Sequence, residues 1–221
     1  MNQASTKKNL VSGDNFRELI LRGGFFVDKT SFIPQIFENG NVLLFTRPRR
    51  FGKSLTLSML RYFFEMDYLH PGNTALQETL FKDLDILENQ AFCDLHMAAW
   101  PVIHISLKDV AGYDLDNAVY QLFTTIQYAF REHSFLINSD KVSETSKAII
   151  QKWLDVDLKE TRELVSLVQK GIFDLQIALF EYSGKHVITL IDEYDVPLQK
   201  ARSGGYYDGM IPIILSSRVD F

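Results

Sequence analysis

The chain has 221 residues, of which 46% are hydrophobic and 17 are Phe, so it is long and apolar enough to bury a substantial core. A formal net charge of −5 excludes a general attraction to nucleic acid, and only Arg47, Arg49 and Arg50 form a basic cluster, so direct nucleic-acid binding by this segment is not supported. The single cysteine, Cys93, excludes an internal disulfide. No signal-peptide core follows the polar residues 1–8, and no apolar run approaches the roughly 20 residues that span a bilayer, so we expect a cytoplasmic protein without a membrane segment.

Hydrophobic periodicity and breaker residues predict a flexible tail, residues 1–13, and one domain, residues 14–221. Helices alternate with three strands in this domain, which favours a mostly parallel sheet with the ligand at the carboxyl ends of the strands. The predicted strands are 41–46, 100–107 and 187–191. The predicted helices are 15–22 (capped by Asp14), 32–38, 55–66, short pieces within 74–99, one through 119–130 (capped by Asp114 or Asp116), 146–154 and 158–182.

A phosphate-binding turn is predicted between the strand 41–46 and the helix from Leu55, where Gly52, Lys53 and Ser54 are consecutive. Backbone N–H groups at a free helix N-terminus point at an anion, a lysine reaches the outer phosphates and a serine hydroxyl ligates Mg²⁺. We therefore expect a nucleoside triphosphate with Mg²⁺, although a solvated lysine at a helix start would give the same triplet. The candidate nucleotide contacts are Arg49, Arg50, Phe51, Gly52, Lys53, Ser54 and Leu55, with Lys53 also catalytic and Ser54 a metal ligand.

The turn departs from the general phosphate-loop pattern, which has glycine five residues before Gly52. Arg47 and then Pro48 stand at that point, so the loop is stiffer and one backbone N–H is missing. Arg49 or Arg50 could supply the missing phosphate contact through side-chain charge. The alternative is that both arginines face solvent or pair with acidic neighbours.

Two adjacent carboxylates, Asp192 and Glu193, follow the apolar strand 187–191. Asp192 could hold Mg²⁺ through water, and Glu193, which points elsewhere, could polarise the attacking water as the catalytic base. The alternative is that the pair caps the following loop. Asp195 could be either a residue that supports the pair or a turn residue. The histidines have no metal-site spacing, and Cys93 is expected to be a buried, inert thiol.

Three segments in this order resemble the bacterial and archaeal AAA-ATPase-like family: Phe26–Thr30, the loop Thr46–Ser54 with the sequence TRPRRFGKS, and Leu190–Pro197. In this family a P-loop module commonly precedes a PD-(D/E)XK nuclease-like domain, and the loop without the first glycine is a family trait. The resemblance covers residues 14 to about 209. It implies a three-layer, mostly parallel P-loop sheet with helical insertions.

The resemblance also assigns roles to residues of this chain. Phosphate and metal contacts fall on Lys53, Ser54 and Asp192, and water activation falls on Glu193. The resemblance further places Asp28 and Lys29 beside the nucleotide.

In P-loop ATPases of the kind that this family resembles, a strand after the acidic pair inserts into the middle of the sheet. After Glu193, only residues 210–215 offer a partial strand or helix. We therefore expect a fold that is incomplete at its C-terminus, in a fragment of a longer protein that also carries the nuclease-like domain. The alternative is that residues 210–215 fill the central position themselves.

The function expected from these features is an ATP-binding, Mg²⁺-dependent ATP-hydrolysing module that drives or gates a partner domain. A nucleotide-dependent switch or interaction module with negligible turnover is the alternative. A degenerate fragment that binds no nucleotide is also open. A small-molecule kinase is less favoured, because an Asp-Glu pair suits water activation better.

Overall fold

The computed structural model describes residues 13–38, 42–45, 51–155 and 161–216. The chain divides into two compact units, Met1–Trp100 and Pro101–Phe221. All but the last residue of the predicted N-terminal tail lies outside the described residues. Within the described part, no helix is both long enough and apolar enough to cross a bilayer.

The first unit consists of short helices packed on a core of aromatic rings. Phe16 and Phe63 each contact Phe81, with ring centroids 5.0 and 5.3 Å apart, and all three side chains are fully buried. Its helices are α1 Phe16–Leu21, α2 Ile33–Glu38, α3 Lys53–Phe64, α4 Ala75–Leu80 and α5 Gln90–His96, with 3-10 helices at Thr30–Phe32 and Asp85–Glu88.

These elements confirm the predicted helices 15–22, 32–38 and 55–66 and the short pieces within 74–99, with ends shifted by a few residues. The cap of α1 differs from the prediction. Asn15 rather than Asp14 caps this helix, because its side-chain oxygen accepts the N–H of Glu18 at 3.1 Å.

The strand predicted at 41–46 is wrong for residues 42–45, which the structure describes as irregular. Val42 and Leu44 are 79% and 63% exposed, so this apolar run is not buried in a sheet. A run of apolar residues becomes a strand only when a partner strand pairs with it, and none of the described residues does so here. Residues 41 and 46 lie outside the described residues.

The second unit is built around two parallel strands, with long helices between and after them. Residues Ile103 and Ile105 pair with Thr189 and Ile191, and the register ends at Ser106 opposite Asp192. The elements are β1 Val102–Ser106, α6 Leu115–Glu132, α7 Glu144–Asp155, α8 Thr161–Ser183, β2 Ile188–Asp192, α9 Val196–Gly204 and α10 Tyr207–Ser216.

The crossover from β1 to β2 carries the predicted amphipathic helices. The predicted stripe of α8 is buried throughout, as expected from its helical spacing: Leu164, Val168, Ile172, Leu175 and Leu179 are at most 7% exposed. Trp153 of α7 is fully buried and stacks between Phe123 and Phe130, with centroids 5.1 and 4.7 Å away. Asp114 caps α6, as one of the two predicted alternatives, by accepting the N–H of Asn117 at 2.8 Å.

The expected three-layer P-loop sheet is wrong for the described residues, which form one sheet of only two strands. The parallel direction and the helical crossover are as predicted, so the second unit is α/β in a broad sense. The sheet is small for two reasons: the run 42–45 pairs with nothing described, and residues 210–215 lie in helix α10 rather than in a strand. Helix α9, with Pro197 in its first turn, was not predicted.

Candidate functional site

The turn before α3 places a glycine and then a lysine at the start of a helix. Gly52 lies in the left-handed region, at φ 74° and ψ 27°, which glycine adopts without a steric penalty. Lys53 and Ser54 are the first two residues of α3 and are partly buried. The first N–H groups of a helix have no partner within the helix, and no acidic side chain lies in the first turn of α3 to oppose an incoming anion.

Helix α3 is packed into the core of the first unit behind this turn. Leu57, Leu60 and Phe63 are buried along its length, and Ser58 accepts the backbone N–H of Phe16 at 2.9 Å. The hydroxyl of Ser58, one turn after Ser54, therefore has a structural partner. A helix fixed by its buried face can present its N-terminus in one position.

The other predicted phosphate-loop residues are only partly described. Phe51 is 65% exposed, and Leu55 is partly buried in the first turn of α3. Arg49 and Arg50 lie outside the described residues.

Asp28 has a structural task in the first unit. Its two carboxylate oxygens accept the backbone N–H groups of Thr30 and Asp85, each at 2.7 Å. Thr30 is fully buried, and its hydroxyl accepts the N–H of Ile86 at 3.0 Å. These bonds fix the segment that carries Lys29, whose side chain is exposed. Nucleotide contact by Asp28 and Lys29 stays a prediction.

In the second unit, Asp192 is the last residue of β2 and Glu193 follows it directly. Asp192 is only 6% exposed, and its Oδ1 accepts the N–H of Glu193 at 3.0 Å. Its backbone carbonyl accepts the N–H of Leu107 at 2.9 Å, which extends the pairing with the β1 strand by one bond. Glu193 has φ 53°, which is unusual for a residue other than glycine, and is partly buried. The adjacent carboxylates therefore stand on a strand end and on a tight turn.

Asp195 serves the turn after this pair. It occupies the N-cap position of α9, and its carboxylate accepts the side-chain amide of Gln199. This supports the turn-residue interpretation of Asp195.

Ser106 was missed by the sequence analysis. It is the last residue of β1 and pairs in register with Asp192, so both side chains leave the sheet on the same face. Its Oγ is buried and has no hydrogen-bond partner among the described residues. The available signal was a polar residue at the end of a predicted strand.

The oxygen ligands predicted for Mg²⁺ agree with the preference of this ion for hydroxyl, carboxylate and water oxygens. Ser54 lies in the first turn of α3, and Asp192 is a buried carboxylate beside the Ser106 hydroxyl, which has no partner among the described residues. The chemistry of these two residues therefore fits Mg²⁺. No set of three or more His, Cys, Asp or Glu side chains in the described part could hold a metal ion by itself.

A family model described as predicted AAA-ATPase matches residues 11–216. The chain belongs to the AAA-ATPase-like family. Both the Lys53 turn and the Asp192-Glu193 strand end lie within the matched residues of this family model.

One curated relative of this AAA-ATPase-like chain is an uncharacterized protein in the vnfD 5' region of Azotobacter chroococcum mcd 1. The two are 34% identical over 110 residues, which cover 48% of this chain and 18% of that protein. The match therefore spans less than a fifth of the length of that relative. No solved structure matches the chain.

Cys93 of this AAA-ATPase-like chain is buried as predicted. It is 3% exposed, and its Sγ contacts the carbonyl of Ile86 at 3.3 Å. Burial raises the pKa of the Cys93 thiol, and the neighbouring Asp94 carboxylate raises it further. A thiol with a raised pKa is a poor nucleophile, so this residue takes no part in the candidate site.

Proposed function

We propose that the chain is an ATP-binding, Mg²⁺-dependent ATP-hydrolysing module that drives or gates a partner domain. The observation that carries the proposal is the N-terminus of α3, where Gly52 turns the chain and Lys53 and Ser54 follow without an acidic neighbour in the first turn. An anion is the ligand that such a terminus favours, and the family match makes ATP the natural choice.

Lys53 and Ser54 have distinct roles in this proposal. The N–H groups of the first turn of α3 hold a phosphate, and the Lys53 ammonium neutralises β- and γ-phosphate oxygens. The Ser54 hydroxyl is a ligand for Mg²⁺, which supplies charge neutralisation at the phosphates when it is bound. The buried face of α3 keeps both side chains in place.

Asp192 and Glu193 supply the hydrolytic chemistry. Asp192 would hold Mg²⁺ through a water molecule on its carboxylate, and Glu193 would accept a proton from the attacking water. The water oxygen forms a bond to the γ-phosphorus as the bond to the bridging oxygen breaks, so ADP leaves with that oxygen. The proton then passes from Glu193 to the products, ADP and inorganic phosphate.

A partner domain is the proposed effector, and a nuclease-like domain is the specific candidate. Support comes from the Azotobacter relative, whose length extends well beyond the segment that matches this chain. ATP binding or hydrolysis would then change the position or the access of that domain.

Binding is tested by the rise in melting temperature that ATP and Mg²⁺ produce. Ligand that binds only the folded state at about 100 times its Kd raises the free energy of unfolding by about 2.7 kcal/mol. The rise should be present in the wild type, lost in Lys53→Ala and retained in Lys82→Ala, which changes an exposed lysine of the same unit. An equal rise in Lys53→Ala would remove that lysine from the site.

Hydrolysis needs a separate measurement, the release of inorganic phosphate at saturating ATP. Glu193→Gln should abolish release while leaving the ATP-induced rise in melting temperature in place. If the wild type binds ATP but releases no phosphate, the chain is a nucleotide-dependent switch and the hydrolytic part of the proposal is wrong.

A further inference from the structure

The ends of β1 and β2 bring two polar side chains together on one face of the sheet. Ser106 and Asp192 are the last paired residues of the two strands, and neighbouring strands lie about 4.8 Å apart. The pairing of Ile105 with Ile191 and the bond from Leu107 to the Asp192 carbonyl fix the register on both sides of this pair. The two side chains are therefore held as neighbours by the backbone.

Both polar groups are buried, and neither satisfies the other. Ser106 Oγ has no hydrogen-bond partner among the described residues, although a carboxylate stands on the adjacent strand. Among the described residues, the Asp192 carboxylate accepts one hydrogen bond, from the N–H of Glu193 to Oδ1. Leaving a buried hydroxyl without a hydrogen-bond partner costs about 1–3 kcal/mol of stability. We therefore expect the Ser106 hydroxyl to have a partner other than Asp192.

The chemistry of the pair identifies that partner. A serine hydroxyl can donate one hydrogen bond and accept others, whereas an ionised carboxylate can only accept. A water molecule donates to the carboxylate and accepts from the hydroxyl at the same time, which completes both groups. An anion in this place would be repelled by Asp192.

We propose that Ser106 is a positioning residue that donates a hydrogen bond to a water molecule held by Asp192. This inference rests on the function proposed above, in which that water is bound to Mg²⁺. With both its donor and its acceptor fixed by the strand ends, the water would have one orientation, with its remaining lone pair available to Mg²⁺. A water that is already oriented would lose less freedom when the metal binds, so the metal would be bound more tightly.

The competing explanation is a packing imperfection at the end of the strand, without any role in metal binding. Both explanations predict that Ser106→Ala leaves the nucleotide-free protein at least as stable as the wild type, because the unpartnered hydroxyl is removed. They differ in the dependence on Mg²⁺, which a purely structural role would not change.

The experiment measures the Mg²⁺ concentration that gives half of the ATP-induced rise in melting temperature, at saturating ATP in the full chain. We expect Ser106→Ala to raise this concentration about fivefold, the equivalent of one net hydrogen bond of about 1 kcal/mol. Ser106→Cys keeps the volume but weakens the donor, so it should give a similar increase, while Ser106→Thr keeps the hydroxyl and should stay near the wild type. Ser183→Ala, which removes a hydroxyl bonded to the carbonyl of Leu179, is the control and should leave the value unchanged.

An unchanged Mg²⁺ concentration in both Ser106→Ala and Ser106→Cys would overturn the inference and leave the proposed function intact. A wild type that shows no response to ATP with Mg²⁺ would instead overturn the proposed function, and the role of Ser106 with it. If only Ser106→Ala is too unstable to measure, Ser106→Cys decides the outcome.

Discussion

The hydroxyl of Tyr206 forms two hydrogen bonds with the backbone of Gly112, which lies 94 positions earlier in the chain. It accepts the N–H of Gly112 at 3.2 Å and donates to the carbonyl at 2.9 Å. A Cβ at Gly112 would lie 2.5 Å from the backbone nitrogen of Ala118, so the chain can approach closely here only with glycine. The pair ties the segment before α6 to the connection between α9 and α10.

Replacing Tyr206 with Phe should lower the free energy of unfolding by about 1–3 kcal/mol, because the N–H and the carbonyl of Gly112 both lose their partner. Chemical denaturation monitored by circular dichroism measures the change. Tyr113→Phe is the matched control, since Tyr113 is 83% exposed, and should have no measurable effect. Equal stability of the two variants would show that the Tyr206 bonds contribute nothing net.

Asp28 should be a stability residue of the first unit. In Asp28→Ala, the N–H groups of Thr30 and Asp85 lose a charged acceptor, so the free energy of unfolding should fall by about 1.5–3 kcal/mol. Asp14→Ala, which changes an exposed carboxylate of the same unit, should be neutral. The ATP-induced rise in melting temperature, measured from the lower baseline of Asp28→Ala, separates this role from the nucleotide contact that the sequence predicts: a retained rise means that Asp28 only stabilises the fold.

Glu181 should make stability depend on pH. Burial raises the pKa of this carboxyl, but hydrogen bonds from the N–H and hydroxyl of Ser143 and from Ser146 together outweigh burial and hold the pKa below its usual range. A lowered pKa in the folded state gives stability that is full above the unfolded pKa and is lost as the pH falls through the folded pKa.

Glu181→Gln should therefore be less stable than the wild type at pH 7, and the difference should shrink as the pH is lowered below about 4, near the usual glutamate pKa. Urea denaturation at a series of pH values measures it. Glu163→Gln, at an exposed position of the same α8 helix, should show no such trend. A difference between Glu181→Gln and the wild type that is constant with pH would contradict the electrostatic origin.

The helices were largely predictable because their signals are local. The spacing of Leu164, Val168 and Leu175 defines a buried stripe within one segment, and α8 forms around that stripe. Strands were less predictable, since a strand also needs a partner that is distant in sequence. The apolar runs of β1 and β2 pair with each other, whereas Val42 and Leu44, in a run of similar composition, are exposed.

The candidate site shows the same division between local and distant signals. Gly52 and Lys53 could be placed at a helix start because glycine and the following amphipathic run are adjacent. The register that sets Ser106 beside Asp192 could not be predicted, because a shift of one residue would point the serine to the other face. The bond from Asp28 to residue 85 was equally invisible, since nothing near either residue indicates the other.

At Glu193 the proposed catalytic role and the stability of the fold favour different residues. Its left-handed conformation would suit glycine better than any carboxylate-bearing side chain, so the chain accepts strain of about 1 kcal/mol or more at this turn. Directed evolution for thermal stability alone would favour the substitution Glu193→Gly and so would remove the proposed base. A screen for heat-resistant variants of this protein therefore has to select for turnover in parallel.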